Sequence, residues 1–430
     1  MEKAKSFFLT LLVVTSLIQS YILGYSSPRP EPLPQGKYVE SVLEGTPAEL
    51  QDVVFPDQII LHYGQKNHTV LYPVPFINHY RNIFDFLKQR SFGGLRKTNV
   101  LAANIDWNDI RDNYEGIEMR FREGVPVNVL QSLMKVSKDE PLPANELITR
   151  IYLYSNGITD DVKTFFISDS SLTVYEAVKA DVTVSDLTMR LRLGESLPRY
   201  HTSSGDYYLP NEPLTAIRIT MPYTQYTAEQ LKRSLFVDPS LTRSLQERDG
   251  TQIITDSVKG LQLRNDKHWF VFSNPASAPV DSKNEVRDNL LSAIQFVNQH
   301  GGWNSTYLYS QLTPKVAVGA QTFLFRQYLE GFPVMNIGTD TIGYMKVAVQ
   351  KGIVSAYERS ILIPDMKNMA KTQAILPGGA ELDAKIAAYR RPSSIARIYP
   401  GYQPEVQEKQ VVYHPKWIVE LRDGTFDVLN

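Results

Sequence analysis

Residues 6–25 form an uncharged apolar run at the N-terminus, and no second stretch of that kind follows it in the chain. At ~1.5 Å of rise per helical residue, such a run covers the roughly 30 Å hydrocarbon core of a bilayer. Lys3 and Lys5 precede the run, and positive charge before a first span favours a cytoplasmic N-terminus. The sequence therefore predicts a single-pass protein of the cell membrane, with an N-terminal transmembrane helix and its bulk outside the cytoplasm.

A cleaved signal peptide is the alternative reading, because it too has a basic start and an apolar middle. Its apolar region is typically about 7–15 residues long and is followed by a small-x-small cleavage site. Here the run leads instead into ILGYSSP at residues 22–28. These flanks favour an uncleaved signal anchor. The chain has no cysteine, which excludes a disulfide framework and a lipoprotein-type attachment.

The composition is that of a folded, sheet-rich protein outside the membrane. Hydrophobic residues make up 43% of the chain and aromatic residues 11%, including 24 Tyr, which is sufficient to build cores and favours strands. The formal net charge of -1 provides no overall electrostatic attraction for nucleic acid. We therefore expect no nucleic-acid partner, and stability that comes from packing alone.

Proline-rich and glycine-rich breaks divide the chain into predicted segments. After the anchor, SPRPEPLP at residues 27–34 favours an extended spacer. Short strand patterns and occasional helices follow, so we predict an α+β fold with a multidomain, mostly antiparallel ectodomain. The predicted segments are a cytoplasmic tip and anchor (1–26), a linker (27–37), an N-terminal ectodomain (38–212), a central domain (213–274) and a C-terminal domain (280–430).

Three local patterns carry the clearest structural predictions. Ser282 and Glu285 fit the N-cap and N3 positions of a capping box before a helix with an apolar stripe. The Asp-Gly pair at residues 249–250 predicts a hairpin, as does the pair at 423–424. For the second hairpin we place the strands at residues 409–414 and 417–427.

No segment matches a known catalytic or nucleotide-binding motif, such as G-x-S-x-G, H-E-x-x-H or a Walker loop. His62 and His68 flank a predicted turn, so they either form a metal pair or are exposed histidines at strand ends. Asp106, Asp109 and Asp112 either share a helical face or cap a helix, since a calcium loop needs a denser arrangement. We therefore expect no catalytic residues, no metal and no cofactor.

One side of the predicted anchor is polar. Thr15, Ser16, Gln19 and Ser20 lie three or four residues apart and so share a helical face. Small and hydroxylated residues with one amide commonly mediate helix association in lipid. These four residues are the candidate partner-binding site, and the alternative is that Gln19 and Ser20 only adjust the helix to the outer interface.

Several longer segments resemble the YycH (WalH) proteins of Gram-positive bacteria. The first is SLFVDPS at residues 234–240, followed by Arg243 and by QERDG at residues 246–250. The resemblance continues with FRQYLEGFPV at residues 325–334 and GIVSAYERS at residues 352–360. Together with the N-terminal anchor and a similar length, it covers most of the chain.

That family regulates the WalK (YycG) sensor histidine kinase, which acts with the response regulator WalR (YycF) in cell-wall metabolism. The resemblance implies a non-enzymatic protein that contacts the kinase and a second single-pass protein, YycI (WalI), partly through transmembrane helices. It also implies a C-terminal part that is YycI-like and PepSY-like in fold. Self-association is a further partnership that we consider. The alternative functions are an exported cell-wall hydrolase and a PepSY-like protease inhibitor or ligand-binding module.

Overall fold

The computed structural model describes most of residues 45–429 and a few earlier positions. The earlier positions are residues 5, 12–16, 19 and 43, and the gaps are residues 74–77, 102, 138–141, 144–145, 169–172, 265, 267, 276–283, 312–318 and 337–341. Residues Met1–Val39 form one unit and Glu40–Asn430 form a second. Every sheet described below belongs to the second unit.

In the first unit, the described residues are helical and exposed. Thr15, Ser16 and Gln19 of the predicted polar face have helical backbone, and Ser20 lies outside the described residues. Among the positions that the structure describes, no helix is long and apolar enough to span a bilayer. Most of residues 6–25 lie outside the described part, so the anchor stays a prediction.

Sheet A contains ten strands in the described part of the chain. They are β1 (Gln58–Tyr63), β2 (His68–Leu71), β3 (Ser91–Asn99), β4 (Glu115–Pro126), β5 (Lys135–Val136), β6 (Leu147–Ser155), β7 (Lys163–Ser168), β8 (Thr173–Ala180), β9 (Tyr200–His201) and β10 (Leu209–Pro210). Their order is β10-β9-β2-β1-β4-β6-β7-β8-β3-β5. β1 and β4 are therefore central strands, and both are buried along most of their length.

Five helices lie in the same part of the chain as sheet A, and the first of them packs on strand Thr306–Gln311 of the second sheet. They are α1 (Leu50–Val53), α2 (Asn78–Gln89), α3 (Trp107–Asn113), α4 (Val127–Leu133) and α5 (Val184–Arg192). α2 buries Tyr80, Ile83, Phe84 and Leu87, which is the single apolar stripe expected of a surface helix. α3 begins at Asp106, whose carboxylate accepts from the backbone N–H groups of Asn108 and Asp109. The capping alternative predicted for Asp106 is thus confirmed.

Sheet B is formed by strands that follow β11 (Leu214–Gln225) in the chain. β11 itself belongs to a third sheet, sheet C. The strands of sheet B are β12 (Arg243–Gln246), β13 (Gln252–Thr255), β14 (Gly260–Arg264), β15 (Trp269–Ser273), β16 (Thr306–Gln311), β17 (Gln321–Leu329), β18 (Phe332–Pro333), β19 (Tyr344–Gln350) and β20 (Ile353–Ser360). The order is β12-β13-β14-β15-β20-β19-β17-β16, with β18 paired to β17. The hairpin predicted around residues 249–250 is confirmed, because Arg243 pairs with Thr255 and Gln246 with Gln252.

Two helices belong to this part of the chain, α6 (Ala228–Leu235) and α7 (Val286–Gln299). The helix predicted after Glu285 is confirmed, but its predicted capping box is wrong. Glu285 itself is the N-cap of α7, and Ser282 lies outside the described residues. The side chain of Asn284 accepts hydrogen bonds from Asn289 and from the backbone of Lys351, which holds the chain outside the helix until Glu285.

Sheet C combines β11 with strands from the end of the chain. These are β21 (Leu362–Pro364), β22 (Ala370–Leu376), β23 (Ile395–Val406), β24 (Gln410–Leu421) and β25 (Phe426–Leu429), with the helix α8 (Gly379–Ala387). The order is β21-β11-β24-β23, with β22 paired to β11 and β25 to β24. Short 3-10 turns lie at Pro239–Leu241 and Pro392–Ser394.

The hairpin predicted for the last residues is wrong in its first turn. β24 runs without interruption through Pro415, which is paired with Tyr402 of β23. The other edge of β24 pairs with β11 at residues 410–413 and with β25 at residues 417–420. Pro415 falls between these two ladders, where its missing N–H removes no hydrogen bond from the sheet. The turn at residues 423–424 is confirmed as the link to β25.

The predicted fold class is confirmed as a mixed α+β, sheet-rich protein. Among the described strands, β3 and β5 form the one parallel ladder, and the other ladders are antiparallel. Residues 213–274, predicted as a central domain, contribute strands to both sheet B and sheet C. Whether the predicted segments fold as independent domains stays a prediction.

Two apolar clusters hold the sheets together. The larger one continues from sheet A, with Val54 and Phe121, into sheet B, with Phe325 and Tyr328. The smaller one fills sheet C around Trp417 and reaches β18 at its edge. Sheets A and B thus share one core. Sheet A contributes Leu209 of β10 to the smaller cluster, and beside it sheets A and C also meet through charged residues, where the candidate site lies.

Candidate functional site

Strand β4 separates apolar from charged residues along its length. Ile117, Met119 and Phe121 belong to the large apolar cluster, and the intervening residues Glu118, Arg120 and Arg122 are charged and almost fully buried. Successive side chains of a strand point to opposite faces of the sheet. One face of β4 therefore packs into the core, and the other carries a row of buried charges.

Arg120 is fully paired. Its Nε and Nη2 atoms donate to the two carboxylate oxygens of Glu118 at 2.9 and 3.0 Å. Nη1 donates to the carbonyl of Asp206 at 2.7 Å and Nη2 to that of Gly205 at 2.6 Å. Gly205 has a φ of 78° and a Cβ there would lie 2.2 Å from Nη1 of Arg111, so only glycine fits this turn. The loop at residues 203–206 thus serves as a cap for Arg120.

The histidine pair lies beside this ion pair. Nδ1 of His62 and Nδ1 of His68 are 3.0 Å apart, and Nε2 of His62 is 3.5 Å from Glu118. Both histidines are almost fully buried, so the prediction of exposed strand-end histidines is wrong. The paired strands β1 and β2 place them directly opposite each other. Within the described residues there is no group of three or more His, Asp or Glu that could hold a metal ion.

Burial keeps both histidines neutral. It lowers the pKa of His68 from 6.5 to about 3, with His62 and Arg111 adding to the effect. Burial also lowers the pKa of His62, against the opposing effect of Glu118. We assign the proton of neutral His62 to Nε2, on the side of the Glu118 carboxylate, and in that tautomer Nδ1 of His62 accepts the hydrogen bond that Nδ1–H of His68 donates. Burial would raise the pKa of Glu118, but Arg120, His62 and Arg150 lower it well below its usual range.

Arg122, two residues along the same face, is paired much more loosely. Its Nη2 is 3.3 Å from Oδ2 of Asp57, and its Nη1 is 3.7 Å from Oε2 of Glu420 in sheet C. Its guanidinium carbon lies 3.8 Å from the ring centre of Tyr399. Among the described residues, Nε and Nη1 of Arg122 and Oδ1 of Asp57 have no hydrogen-bond partner. The side chain of Arg122 is only 6% exposed.

These groups face a partly open cavity of about 160 Å³ between sheets A and C. We call it the arginine cavity. Its charged lining residues are Asp57, Arg120, Arg122, Arg150 and Asp206 from the first 210 residues and Arg397 from β23. Arg150 and Arg397 are about one-third exposed and lie at its rim, whereas Arg122 lies at its base.

Burial acts on the carboxyl groups at the cavity as well as on its arginines. Burial raises the pKa of Asp57, despite the opposing charge of Arg122. Burial also raises the pKa of Glu123, which lies 3.9 Å from Arg397. Both shifts mean that burial stabilises the charged carboxylate less well than water does. The guanidinium groups stay protonated, and Arg122, Arg150 and Arg397 each lie beside a carboxylate of the protein, at 3.3, 3.7 and 3.1 Å.

The residues singled out from the sequence and the residues of this site overlap little. His62 and His68 lie next to the site, whereas Thr15, Ser16, Gln19 and Ser20 belong to the first unit, and their role as a partner-binding face stays a prediction. Sequence reasoning missed the cavity and its arginines. The alternation of apolar and charged residues at positions 117–122 is the signal that could have found one wall of it.

The fold and the site together define a three-sheet α+β protein with an arginine-lined cavity between its first and third sheets. Comparison with known proteins gives the family. The family model of the YycH protein, N-terminal domain, matches residues 2–190, and that of the YycH protein, C-terminal domain, matches residues 204–428. The chain belongs to the YycH family.

Comparisons with YycH of Bacillus subtilis, by sequence and by structure, support this assignment. The chain is 20% identical over 427 residues to the two-component system WalR/WalK regulatory protein YycH of Bacillus subtilis (strain 168), covering 94% of this chain and 90% of the relative. The crystal structure of YycH from Bacillus subtilis is similar in fold, with a TM-score of 0.69 and 18% identity over 90% of this chain and 99% of that one. The family resemblance inferred from the sequence is confirmed.

Proposed function

We propose that this protein regulates a two-component system of the WalR/WalK type, acting on the sensor histidine kinase. The observation that carries the proposal is the match of both YycH family models, together with the name of the relative as a WalR/WalK regulatory protein. A regulatory rather than catalytic role agrees with that name. Because a WalR/WalK system governs cell-wall metabolism, the protein would act on that process through the kinase.

We further propose that residues 6–25 anchor the protein in the cell membrane, with the second unit outside the cytoplasm. Lys3 and Lys5 before the apolar run support this orientation. In this arrangement the face of Thr15, Ser16, Gln19 and Ser20 meets transmembrane helices of the kinase and of YycI. The proposed YycI-like fold of the C-terminal part would let the two accessory proteins pair outside the membrane.

The regulatory effect requires a kinase with two arrangements. A partner shifts such an equilibrium only by as much as its affinity differs between the two states. A hydrogen bond between helices in lipid contributes about 0.6–2 kcal/mol, so two such contacts made in only one of the two states change their ratio by about one to three orders of magnitude. A purely lateral contact is therefore sufficient for regulation.

The first experiment is co-purification of the full chain with the kinase and YycI from membranes. The variant S16L/Q19L/S20L keeps the segment apolar and long enough to insert, but it loses the polar face. We expect weaker recovery of both partners and a kinase output that moves toward that of a strain lacking the protein. The matched control is V14L/I18L/Y21L on the opposite face, which should leave recovery unchanged. Normal recovery with the first variant would show that the anchor is only a tether.

The second experiment tests topology. A reporter fused after Asn430 should be active only outside the cytoplasm, and the mature protein should keep its N-terminus. N-terminal sequencing that begins near Ser26 would show a cleaved signal peptide instead. Failure to recover a histidine kinase under any condition would contradict the proposed function as a whole.

A further inference from the structure

Arg120 and Arg122 form an internal comparison, because they lie on the same face of β4 and are both buried. Arg120 donates four hydrogen bonds, at 2.6–3.0 Å. Arg122 has only two long ion-pair contacts, at 3.3 and 3.7 Å, and two of its nitrogen atoms lack a hydrogen-bond partner among the described residues. Arg120 is thus a structural residue, and Arg122 still has donors to offer.

A buried guanidinium with open donors is unusual. Buried polar groups are nearly always hydrogen-bonded, and removing a charge from water is costly unless its partners compensate for it. Tyr399 of β23 holds the guanidinium in position through its ring face. The orientation of Arg122 is therefore fixed, and the residue lines the arginine cavity with its Nη1 on the side of Glu420.

The cavity restricts the size and the charge of an occupant. Its volume of about 160 Å³ is smaller than the ~300–1,000 Å³ of pockets that hold drug-sized ligands. Arg122, Arg150 and Arg397 favour a negatively charged group. Oδ1 of Asp57, buried and without a partner in the described part of the chain, favours a hydrogen-bond donor beside that group.

We propose that the arginine cavity binds a small carboxylate-bearing ligand. The carboxylate accepts a hydrogen bond from Nη1 of Arg122, because Nε–H and Nη1–H point away from each other and cannot share one carboxylate. Arg150 and Arg397 flank it at the rim. An N–H beside the carboxylate, as at the C-terminal end of a peptide, donates to Oδ1 of Asp57. Because Arg397 and Tyr399 belong to sheet C and the other groups to sheet A, the ligand would bridge the two sheets.

The test uses the full chain in detergent and isothermal titration calorimetry in a carboxylate-free buffer. The probes are the dipeptide Ala-Ala, its C-terminal amide and inorganic phosphate. We expect saturable binding of Ala-Ala and at least about tenfold weaker binding of the amide, which lacks the negative charge. Phosphate that binds more tightly than Ala-Ala would overturn the carboxylate assignment in favour of a phosphate ligand.

The variants assign binding to the cavity. R122Q should lose Ala-Ala binding by at least about tenfold, and D57N, which keeps the shape of the side chain, should weaken it less. R122K is the second variant, for the case that R122Q does not fold. It keeps the charge but not the donor geometry, so it should fold and bind Ala-Ala more weakly than wild type. R243Q removes an exposed arginine of β12 and should bind like wild type.

Two results would overturn the proposal. One is the absence of saturable Ala-Ala binding to folded wild-type protein at millimolar concentration. The other is equal Ala-Ala affinity for wild type and R122K or R122Q, with circular dichroism showing that the variant is folded. Neither result depends on the kinase, so this proposal and the proposed function can fail separately.

Discussion

Sheet A meets its two neighbouring sheets through interfaces of different composition. Toward sheet B the contact is apolar, as where the ring of Phe55 meets that of Tyr328 edge-on at 6.3 Å between centroids. Toward sheet C, Leu209 of β10 packs with the apolar cluster, but charges are also buried there, with Arg122 reaching Glu420 and Arg397 reaching Glu123. The two interfaces are close together in the chain. Phe55 contacts Tyr328 of sheet B, and Asp57, two residues later, contacts Arg122, which reaches Glu420 of sheet C.

The difference indicates which sheet junction is rigid and which one can change its geometry. Apolar burial is proportional to area and insensitive to pH and salt near neutrality. A buried ion pair loses in desolvation much of what it gains in Coulomb attraction, so its net contribution is small and easily changed. We infer that sheets A and B move as one body and that the junction of sheets A and C is the adjustable one.

The largest expected effect is on the apolar interface. Phe55→Ala removes a buried ring from the shared core, which should lower the free energy of unfolding by about 3–5 kcal/mol. Urea unfolding followed by tryptophan fluorescence measures it. The control Leu241→Ala, at an exposed side chain, should change stability by less than ~0.5 kcal/mol. An equally small effect of Phe55→Ala would show that sheets A and B do not depend on a common core.

The second prediction concerns acid sensitivity on the charged face of sheet A. The folded pKa of His68 is about 3, below its ordinary value of 6.5, so the unfolded chain takes up the proton first as the pH falls. The stability linked to His68 is complete above pH 6.5 and is lost as the pH falls toward 3. By pH 5 the loss is about 2 kcal/mol.

Thermal unfolding of wild type and His68→Gln between pH 5 and 7.5 tests this. The variant should show a shallower pH dependence, and His79→Gln on α2 should show that of wild type. His300, whose pKa burial lowers to about 4, supplies part of the remaining dependence. Identical slopes in wild type and His68→Gln would mean that His68 does not contribute to the acid sensitivity.

Local elements of the fold could be predicted where short-range chemistry decides the structure. The Asp-Gly hairpin at residues 249–250 and the apolar stripe of α7 are examples. β23 was missed because Pro400, Gly401 and Pro404 discourage a strand assignment. In the structure β23 is an edge strand of sheet C, where proline is tolerated.

The candidate site could not be predicted because its parts are distant in the chain. Arg122 and Glu420 come together only through the packing of sheet C against sheet A, and no periodicity records that contact. The burial of His62 and His68 has the same cause, since β9 and the aromatic ring of Tyr208 cover them. Sequence spacing showed that they were close but not that they were enclosed.

The third prediction concerns the point at which the chain enters the second unit. The segment at residues 45–48 docks beside the end of α7, where Asn298 exchanges two hydrogen bonds of 2.9 Å with the backbone of Ala48. Asn298 also accepts from Trp303 at 2.7 Å. A Cβ at Gly45 would lie 2.1 Å from the carbonyl of Gly301, so the approach is close. The entry segment is thus tied to the sheet B side of the molecule.

Asn298→Ala should lower the free energy of unfolding by about 1–2 kcal/mol, because it leaves Ala48 and Trp303 groups unpaired. The higher helix propensity of alanine offsets part of that loss. Gln295→Ala, at an exposed position of the same helix, controls for propensity and should be neutral or slightly stabilising. No difference between the two variants would show that the entry segment is not fixed by Asn298.

The smallest expected effect is on the rim of the charged interface. Arg397→Gln removes a hydrogen bond of 3.1 Å to Glu420 and a contact of 3.9 Å to Glu123. Because the arginine is about one-third exposed, the loss in stability should be below ~1 kcal/mol and should shrink further in high salt. Urea unfolding in low and high salt measures both parts of this expectation. A salt-independent loss of more than ~2 kcal/mol would mean that ion pairs hold sheets A and C together as firmly as the apolar core holds sheets A and B, and the proposed adjustable junction would then be rigid.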